Sequence, residues 1–213
     1  MENNVNNSNT ESSKDEFVKV DLRDGTKNSK DFFSLFFKKP INLLKKISKS
    51  KDLKLFNVSL LVLLIWLFVT FIHSLFSYNY NYDGLTYILI IIRDLTIPIL
   101  SVGFLALVIH LLNPSKDDDY RLTNTVTSVI VCKIPIIFIS FLSLLSLVSD
   151  KAYFLLNPIS YFCIAISTIF TFFAIKYLYK ESEDARSFKM FLIVELVFYI
   201  IYLFLSFLNI YLV

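Results

Sequence analysis

The stretch IIIRDLTIPIL, residues 90–100, places an arginine beside an aspartate in a run that is otherwise almost entirely apolar. An isolated charge near the centre of a membrane helix costs at least about 2.5 kcal/mol on insertion scales. A chain that keeps both Arg93 and Asp94 in such a run is therefore expected to shield them from lipid inside a bundle of helices.

The composition of the whole chain is typical of a membrane protein. Hydrophobic residues make up 55% and charged residues 18% of the 213 residues. The apolar residues are concentrated in windows of about 20 residues or more, the length that a helix needs to cross a hydrocarbon core of about 30 Å. We predict an all-α polytopic membrane protein with a domain of five transmembrane helices at residues 56–213. The predicted spans are residues 56–78, 85–112, 125–148, 153–179 and 188–213.

Two segments precede the first predicted span. Residues 1–30 mix acids, bases, Asn and Ser without apolar periodicity, which predicts a disordered cytoplasmic tail. Residues 31–55 combine Phe, Leu and Ile with many lysines, which predicts a basic amphipathic juxtamembrane segment lying in the membrane interface. Pro40 is expected to divide it into two short helices. The alternative is a flexible linker whose Phe pairs dock on the bundle.

The distribution of cations sets the predicted orientation. Seven lysines lie between Asp31 and Leu55, and the loops after spans two and four add six more cations, whereas the other side carries Lys151 alone. Because short loops rich in Lys and Arg stay cytoplasmic, we expect the N-terminus inside and the C-terminus outside the cell (cytoplasmic) membrane. Each lysine near the inner leaflet contributes roughly 1 kcal/mol of attraction to anionic lipid. The lysines predicted to do so are Lys38, Lys39, Lys45, Lys46 and Lys49.

Four ionisable residues lie well inside the predicted spans: Arg93, Asp94, Lys133 and Glu195. Helical rise places Asp94 and Lys133 each about 13 Å deep from opposite surfaces, at levels that differ by about 4 Å. We therefore predict an Asp94–Lys133 pair, with Glu195 sharing the lysine. Arg93 leaves the helix about 100° away from Asp94 and is expected to need a separate partner.

The fifth predicted span carries a polar stripe at helical spacing. Glu195, Tyr199 and Tyr202 recur at intervals of four and three, which places them on one helix face. Lipid offers no partner to polar groups, so this face is expected to point into the bundle. The predicted intramembrane polar network consists of Arg93, Asp94, Lys133, Glu195, Tyr199 and Tyr202.

The fourth predicted span has a face of small residues that allows close approach of a neighbouring helix. Its members are Ser160, Cys163, Ser167, Thr171 and Ala174.

Signatures of catalysis are absent from the sequence. It contains no Gly-rich phosphate loop, HExxH or GxSxG motif, and its two cysteines form no CxxC pair. We therefore expect no enzymatic activity, no cofactor, no metal and no nucleic-acid partner. The charged residues then have two interpretations, a neutral network that fixes helix register or a path for protons or ions.

Three features together resemble a known family: the segment SLFFKKPINLLKKI (residues 34–47), the stretch YRLTNTVTSVIVCKIPIIF (residues 120–138), and five spans with a cytoplasmic N-terminus. They resemble the Yip (Ypt/Rab-interacting protein) domain family, particularly its bacterial members, over residues 31–213. The resemblance implies an integral inner-membrane protein without an established reaction. In the eukaryotic branch it implies a scaffold that binds small GTPases, but the DLYGP-like motif of that branch is absent here.

The sequence therefore predicts a non-enzymatic membrane scaffold or organiser, with membrane lipid and other membrane proteins, or further copies of itself, as partners. One alternative is a small transporter or channel subunit that uses the charged cluster. Another is an accessory subunit of a larger membrane complex.

Overall fold

A computed structural model describes residues 22–50, 53–77, 84–113, 122–180 and 184–211, and all regular structure within these ranges is helical. This confirms the predicted all-α class. A short 3₁₀ helix, Leu144–Leu147, continues the fifth α-helix. The α-helices are α1 (Leu22–Lys38), α2 (Pro40–Lys49), α3 (Lys54–Ser77), α4 (Gly84–Leu111), α5 (Leu122–Ser143), α6 (Asp150–Leu178) and α7 (Asp184–Tyr211).

Within the described residues, four segments are long and apolar enough to cross a membrane: Lys54–Ser77, Gly84–Leu111, Leu122–Leu147 and Phe154–Leu178. They coincide with the first four predicted spans, and their length and composition fit an integral membrane protein. The fifth predicted span falls on α7. We call the end of the bundle where α3 begins the base, and the opposite end the top.

Helix α5 occupies the centre of the bundle. The consecutive residues Val129, Ile130, Val131 and Cys132 are all buried, so α5 is covered on every side at this level. It packs on α3, α4 and α6, and its most extensive contact is with α6. Four small residues of α6, namely Cys163, Ser167, Thr171 and Ala174, are buried, which confirms that most of the predicted small-residue face is a packing face.

The N-terminal helices α1 and α2 pack on the bundle through their apolar faces. Phe32 and Phe36 of α1 are buried, and α1 contacts α3. Leu43, Leu44 and Ile47 of α2 are almost completely buried where α2 meets α5 and α6. The segment predicted to lie in the lipid interface thus places its apolar side against protein, although it is helical and divided at Pro40 as the sequence predicts.

Residues 22–30, which the sequence predicts to be disordered, form the first part of α1. The reason is a close approach of two backbones. A Cβ atom on Gly25 would lie 2.9 Å from the carbonyl oxygen of Asn57 in α3, so glycine is what allows α1 to pack this tightly. The rest of the predicted tail, residues 1–21, lies outside the described residues.

Polar contacts connect the helix ends at the base. The Tyr179 hydroxyl donates to the carbonyl of Ile109 at 2.8 Å, and the Asn124 side-chain amide donates to the carbonyl of Ser50 at 3.1 Å. Lys176 of α6 forms an ion pair with Asp184 at the start of α7. These contacts hold the ends of α2, α4, α5, α6 and α7 together at one level.

Substitution of Gly25 by alanine is expected to destabilise the protein. The new methyl group would meet backbone atoms of α3, and such overpacking costs about 1–3 kcal/mol, more than the roughly 1 kcal/mol of helix propensity that alanine adds. Gly103→Ala is the matched control, because its Cβ would meet no atom within 4 Å. Thermal unfolding in detergent, followed by the fluorescence of the single tryptophan, should show a lower Tm for Gly25→Ala alone. Equal Tm values would contradict the tight α1–α3 contact.

A second pair of variants tests whether α2 packs on protein or on lipid. Leu44 is 1% exposed and Ile41 is 36% exposed. Truncation of a buried leucine to alanine costs about 2–5 kcal/mol, so Leu44→Ala is expected to release α2 and to accelerate tryptic cleavage at Lys45 and Lys46. Ile41→Ala should leave the cleavage rate close to that of the wild type. If α2 instead lay on the membrane, both truncations would change the rate by similar amounts.

Candidate functional site

The four charged residues that the sequence places inside its predicted spans do not form the single network that it predicts. Counted along the helices, Asp94 lies about 26 Å above the base on α4, whereas Lys133 on α5 and Glu195 on α7 both lie about 17 Å above it. A difference of about 9 Å exceeds the reach of a lysine side chain. The charges therefore separate into an upper and a lower cluster.

The upper cluster consists of His73, Ser74, Arg93 and Asp94, between α3 and α4. Arg93 donates from Nε to Asp94 Oδ1 at 2.9 Å, and Ser74 donates from Oγ to Oδ2 of the same carboxylate at 2.8 Å. His73 is close enough to interact electrostatically with Asp94. The prediction that Arg93 and Asp94 need separate partners is wrong, because the long arginine side chain bends back to its neighbour.

The lower cluster consists of Lys133, Glu195 and Phe198, and it connects α5 to α7. The ammonium group of Lys133 lies 5.1 Å from the centroid of the Phe198 ring, in cation–π contact. The charges of Lys133 and Glu195 interact electrostatically. Glu195 and Phe198 are three residues apart, on one helix face, so both can approach the same lysine. Among the described residues neither Asp94 nor Glu195 forms an ion pair with Lys133, so the Asp94–Lys133 pair does not form and the sharing of Lys133 by Glu195 stays a prediction.

The polar stripe predicted for the fifth span is not the packing face of α7. Tyr199 is 59% exposed, whereas Val194 and Ser187 are completely buried. Small side chains at these two positions let α7 approach its neighbours closely, and this packing turns Tyr199 outward. The side chain of Tyr202 lies outside the described residues.

An apolar layer separates the two clusters. Val69 of α3, Pro98 of α4, and Ile134 and Ile137 of α5 are buried, and helical rise places them about 18–23 Å above the base. Trp66 of α3, about 18 Å above the base, bonds across this layer to Ser140 of α5, about 27 Å above it, with 3.1 Å between the indole nitrogen and Oγ. The clusters are therefore not connected by charged side chains within the described ranges.

The sequence analysis did not predict a buried polar layer that lies near the base. Asn57 and Ser59 of α3 and Thr127 and Ser128 of α5 are all almost completely buried. The hydroxyls of Ser59 and Thr127 are 3.5 Å apart, whereas Asn57 Oδ1 and Ser128 Oγ have no hydrogen-bond partner among the described residues. The signal in the sequence was the run TNTVTS at residues 123–128, which is unusually polar for a membrane helix.

The lysines predicted to contact anionic lipid all lie on the surface. Lys38 and Lys39 occupy the corner between α1 and α2, and the other three lie on the outer side of α2. None of the five forms an ion pair with a described residue. They are Lys38, Lys39, Lys45, Lys46 and Lys49.

The described residues contain no group of three or more His, Cys, Asp or Glu placed to hold a metal ion. Cys132 and Cys163 are buried free thiols. The arrangement of the upper and lower clusters can neutralise charge and fix the positions of helices.

Comparisons of the chain with protein-family models, with curated proteins and with solved structures return no match. The resemblance to the Yip domain family therefore stays a prediction.

Neutralising either partner of the Arg93–Asp94 pair is expected to destabilise the bundle. Both side chains are partly exposed, at 30% and 16%, so we expect Arg93→Gln and Asp94→Asn each to cost about 1–3 kcal/mol. The double variant should cost less than the sum, with a coupling energy of about 1 kcal/mol. The changes in the free energy of unfolding are measured by unfolding the variants in detergent mixtures. Thr96→Ala is the control, because the Thr96 hydroxyl bonds only to its own helix; strict additivity would rule out the pair.

Proposed function

We propose that the chain is a non-enzymatic integral membrane scaffold or organiser of the Yip-domain type. The observation that carries the proposal is that the charged side chains of the bundle lie in two separate local clusters. Asp94 is paired with Arg93 and Ser74, Lys133 lies over the Phe198 ring, and a buried apolar layer lies between the two clusters. Groups arranged in this way stabilise helix positions, whereas a proton or ion path requires ionisable groups connected through water.

The proposed topology has five crossings, with α7 as the fifth. Its 28 residues would extend about 42 Å, enough to cross a bilayer. The lysine-rich base would then lie on the cytoplasmic side, where Lys and Arg are retained, and the exposed lysines of α1 and α2 would face anionic lipid of the inner leaflet.

The contact between the two motifs that resemble the Yip family supports the family assignment. The first motif, residues 34–47, lies in α1 and α2, and the second, residues 120–138, lies largely in α5. Helix α2 packs on α5, and Asn124 bonds to the carbonyl of Ser50 just after α2. Sequence features that are distant along the chain therefore form one structural unit at the base.

A role as an accessory subunit is the second candidate, and Tyr199 favours it. This side chain is 59% exposed, about 22 Å along α7, at a depth where lipid offers its hydroxyl no hydrogen-bond partner. A neighbouring membrane protein, or a second copy of the chain, packed on this face of α7 would supply one.

Photo-crosslinking in native membranes discriminates among these roles. A photoreactive residue at Lys49 samples the base, one at Tyr199 samples α7, and one at the exposed Ile92 is the lipid-facing control. A scaffold that acts through its base should give protein crosslinks from position 49. An accessory subunit should give them from position 199. Absence of a protein product from position 49 would contradict the scaffold.

A flux assay tests the transport alternative. Liposomes that contain the wild-type protein are expected to dissipate proton and potassium gradients no faster than empty liposomes, because the clusters are separated by an apolar layer. The double variant Asp94→Asn/Lys133→Met should give the same rate. Flux above background that is lost in this variant, but kept in Thr96→Ala, would replace the scaffold by a transporter.

A further inference from the structure

An apolar groove runs along the bundle between α1, α3, α5 and α6. Its volume is about 550 Å³, within the range of about 300–1,000 Å³ that is usual for ligand sites, and every lining residue is Phe, Ile, Val, Pro or Cys. Buried Phe36, Val62 and Cys163 belong to its floor, whereas exposed Phe138 and Phe162 stand at its rim.

The open side of the groove is continuous with the apolar outer surface of the bundle. Phe138 and Phe162 are 55% and 65% exposed, on two helices that are long and apolar enough to cross a membrane. The molecules that surround such a surface are lipids. The groove can therefore be entered sideways by an acyl chain.

The length of the groove matches one leaflet. On α6 it extends from Phe170 to Ile159, about 16 Å by helical rise, or about half of a hydrocarbon core of 30 Å. One end is closed by α1, where the rings of Phe36 and Phe170 meet edge to face at 5.8 Å. Counted from the end of α6, the groove extends from about 12 Å to about 29 Å above the base.

Positive charge stands at the same end. The lining residues Phe37 and Pro40 flank Lys38 and Lys39, which are both exposed and form no ion pair with any residue in the described ranges. The groove therefore begins beside the ammonium groups of Lys38 and Lys39. This arrangement matches the two parts of an anionic phospholipid, its acyl chain and its phosphate.

We propose that this groove binds one acyl chain of an anionic phospholipid and that Lys38 and Lys39 hold its phosphate. The site depends only on the membrane setting of the bundle; it does not rest on the scaffold role, on the family resemblance or on the number of crossings. The lysines select the charge of the headgroup, and the groove selects a molecule with a long apolar chain over a soluble phosphate.

Quenching of Trp66 fluorescence by brominated lipid tests the site. Trp66 is the single tryptophan, it follows the lining residue Ile65, and it bonds to Ser140 beside the lining residue Phe141. Purified protein in detergent is titrated with phosphatidylglycerol or phosphatidylcholine whose acyl chains carry bromine. We expect saturable quenching at a lower concentration of phosphatidylglycerol, and no relief of that quenching by an excess of glycerol phosphate, a headgroup analogue without an acyl chain.

Two matched pairs of variants locate the binding. Lys38→Gln/Lys39→Gln should weaken the binding of phosphatidylglycerol about 25-fold, because each lysine contributes about fivefold, and should abolish the headgroup preference. Lys45→Gln/Lys46→Gln removes the same charge from exposed positions that do not flank the groove, and should change affinity by less than about threefold. Cys163→Phe should fill the floor and reduce quenching, whereas Ile164→Phe, on the exposed side of α6, should not.

Three results would overturn the proposal. Equal losses in both lysine pairs would show general attraction of anionic lipid to the basic surface. Quenching without saturation, or equal quenching by the two lipids, would show ordinary lipid contact. Dimer formation that excludes brominated lipid, measured by native mass spectrometry, would assign the groove to a second copy of the chain. If Cys163→Phe does not fold, the lysine pairs alone still decide.

Discussion

The constraint on which this structure depends is that charged groups inside an apolar helix bundle need partners within the protein. Asp94 meets it by accepting hydrogen bonds from Arg93 in its own helix and from Ser74 in α3. Lys133 satisfies the same constraint through the cation–π contact of its ammonium group with the Phe198 ring, near Glu195. Each solution is local, and each joins a pair of helices, α3 to α4 and α5 to α7. The contacts of these charged side chains therefore help to set which helix faces meet. The apolar surface around them remains free to contact lipid.

Much of the fold could be predicted, because long apolar windows and small-residue faces are direct consequences of bilayer thickness and close helix packing. The pairing of the charged side chains could not be predicted from the sequence. Depth was counted from the ends of the spans, which assumes that all helices end in one plane. In the structure Ser74, three residues before the end of α3, is level with Asp94, ten residues into α4. Helix α4 therefore extends beyond α3 at the top, and this offset moves Asp94 away from Lys133.

The sequence pattern also could not predict that α1 and α2 pack on the bundle. An amphipathic stripe such as Phe36, Leu44 and Ile47 packs equally well on lipid and on an apolar protein surface, so periodicity alone cannot distinguish them. The close approach at Gly25 was not readable either, because Gly103 also lies within a helix and has no neighbouring atom within 4 Å of its Cβ position. The groove escaped notice for a related reason: its lining comes from five helices and has no period along the chain.

The packing of Phe36 against Phe170 has a consequence for biogenesis. The two residues are about 130 positions apart, and α1 is synthesised before any of the helices on which it and α2 rest. At roughly 5–20 residues per second, the ribosome needs on the order of 10 s to reach α6 after completing α1. During that interval α1 can pack on α3, but the partners of α2 in α5 and α6 are still incomplete. The docking of the N-terminal helices is therefore completed only after α6 has been synthesised, late in the assembly of the bundle.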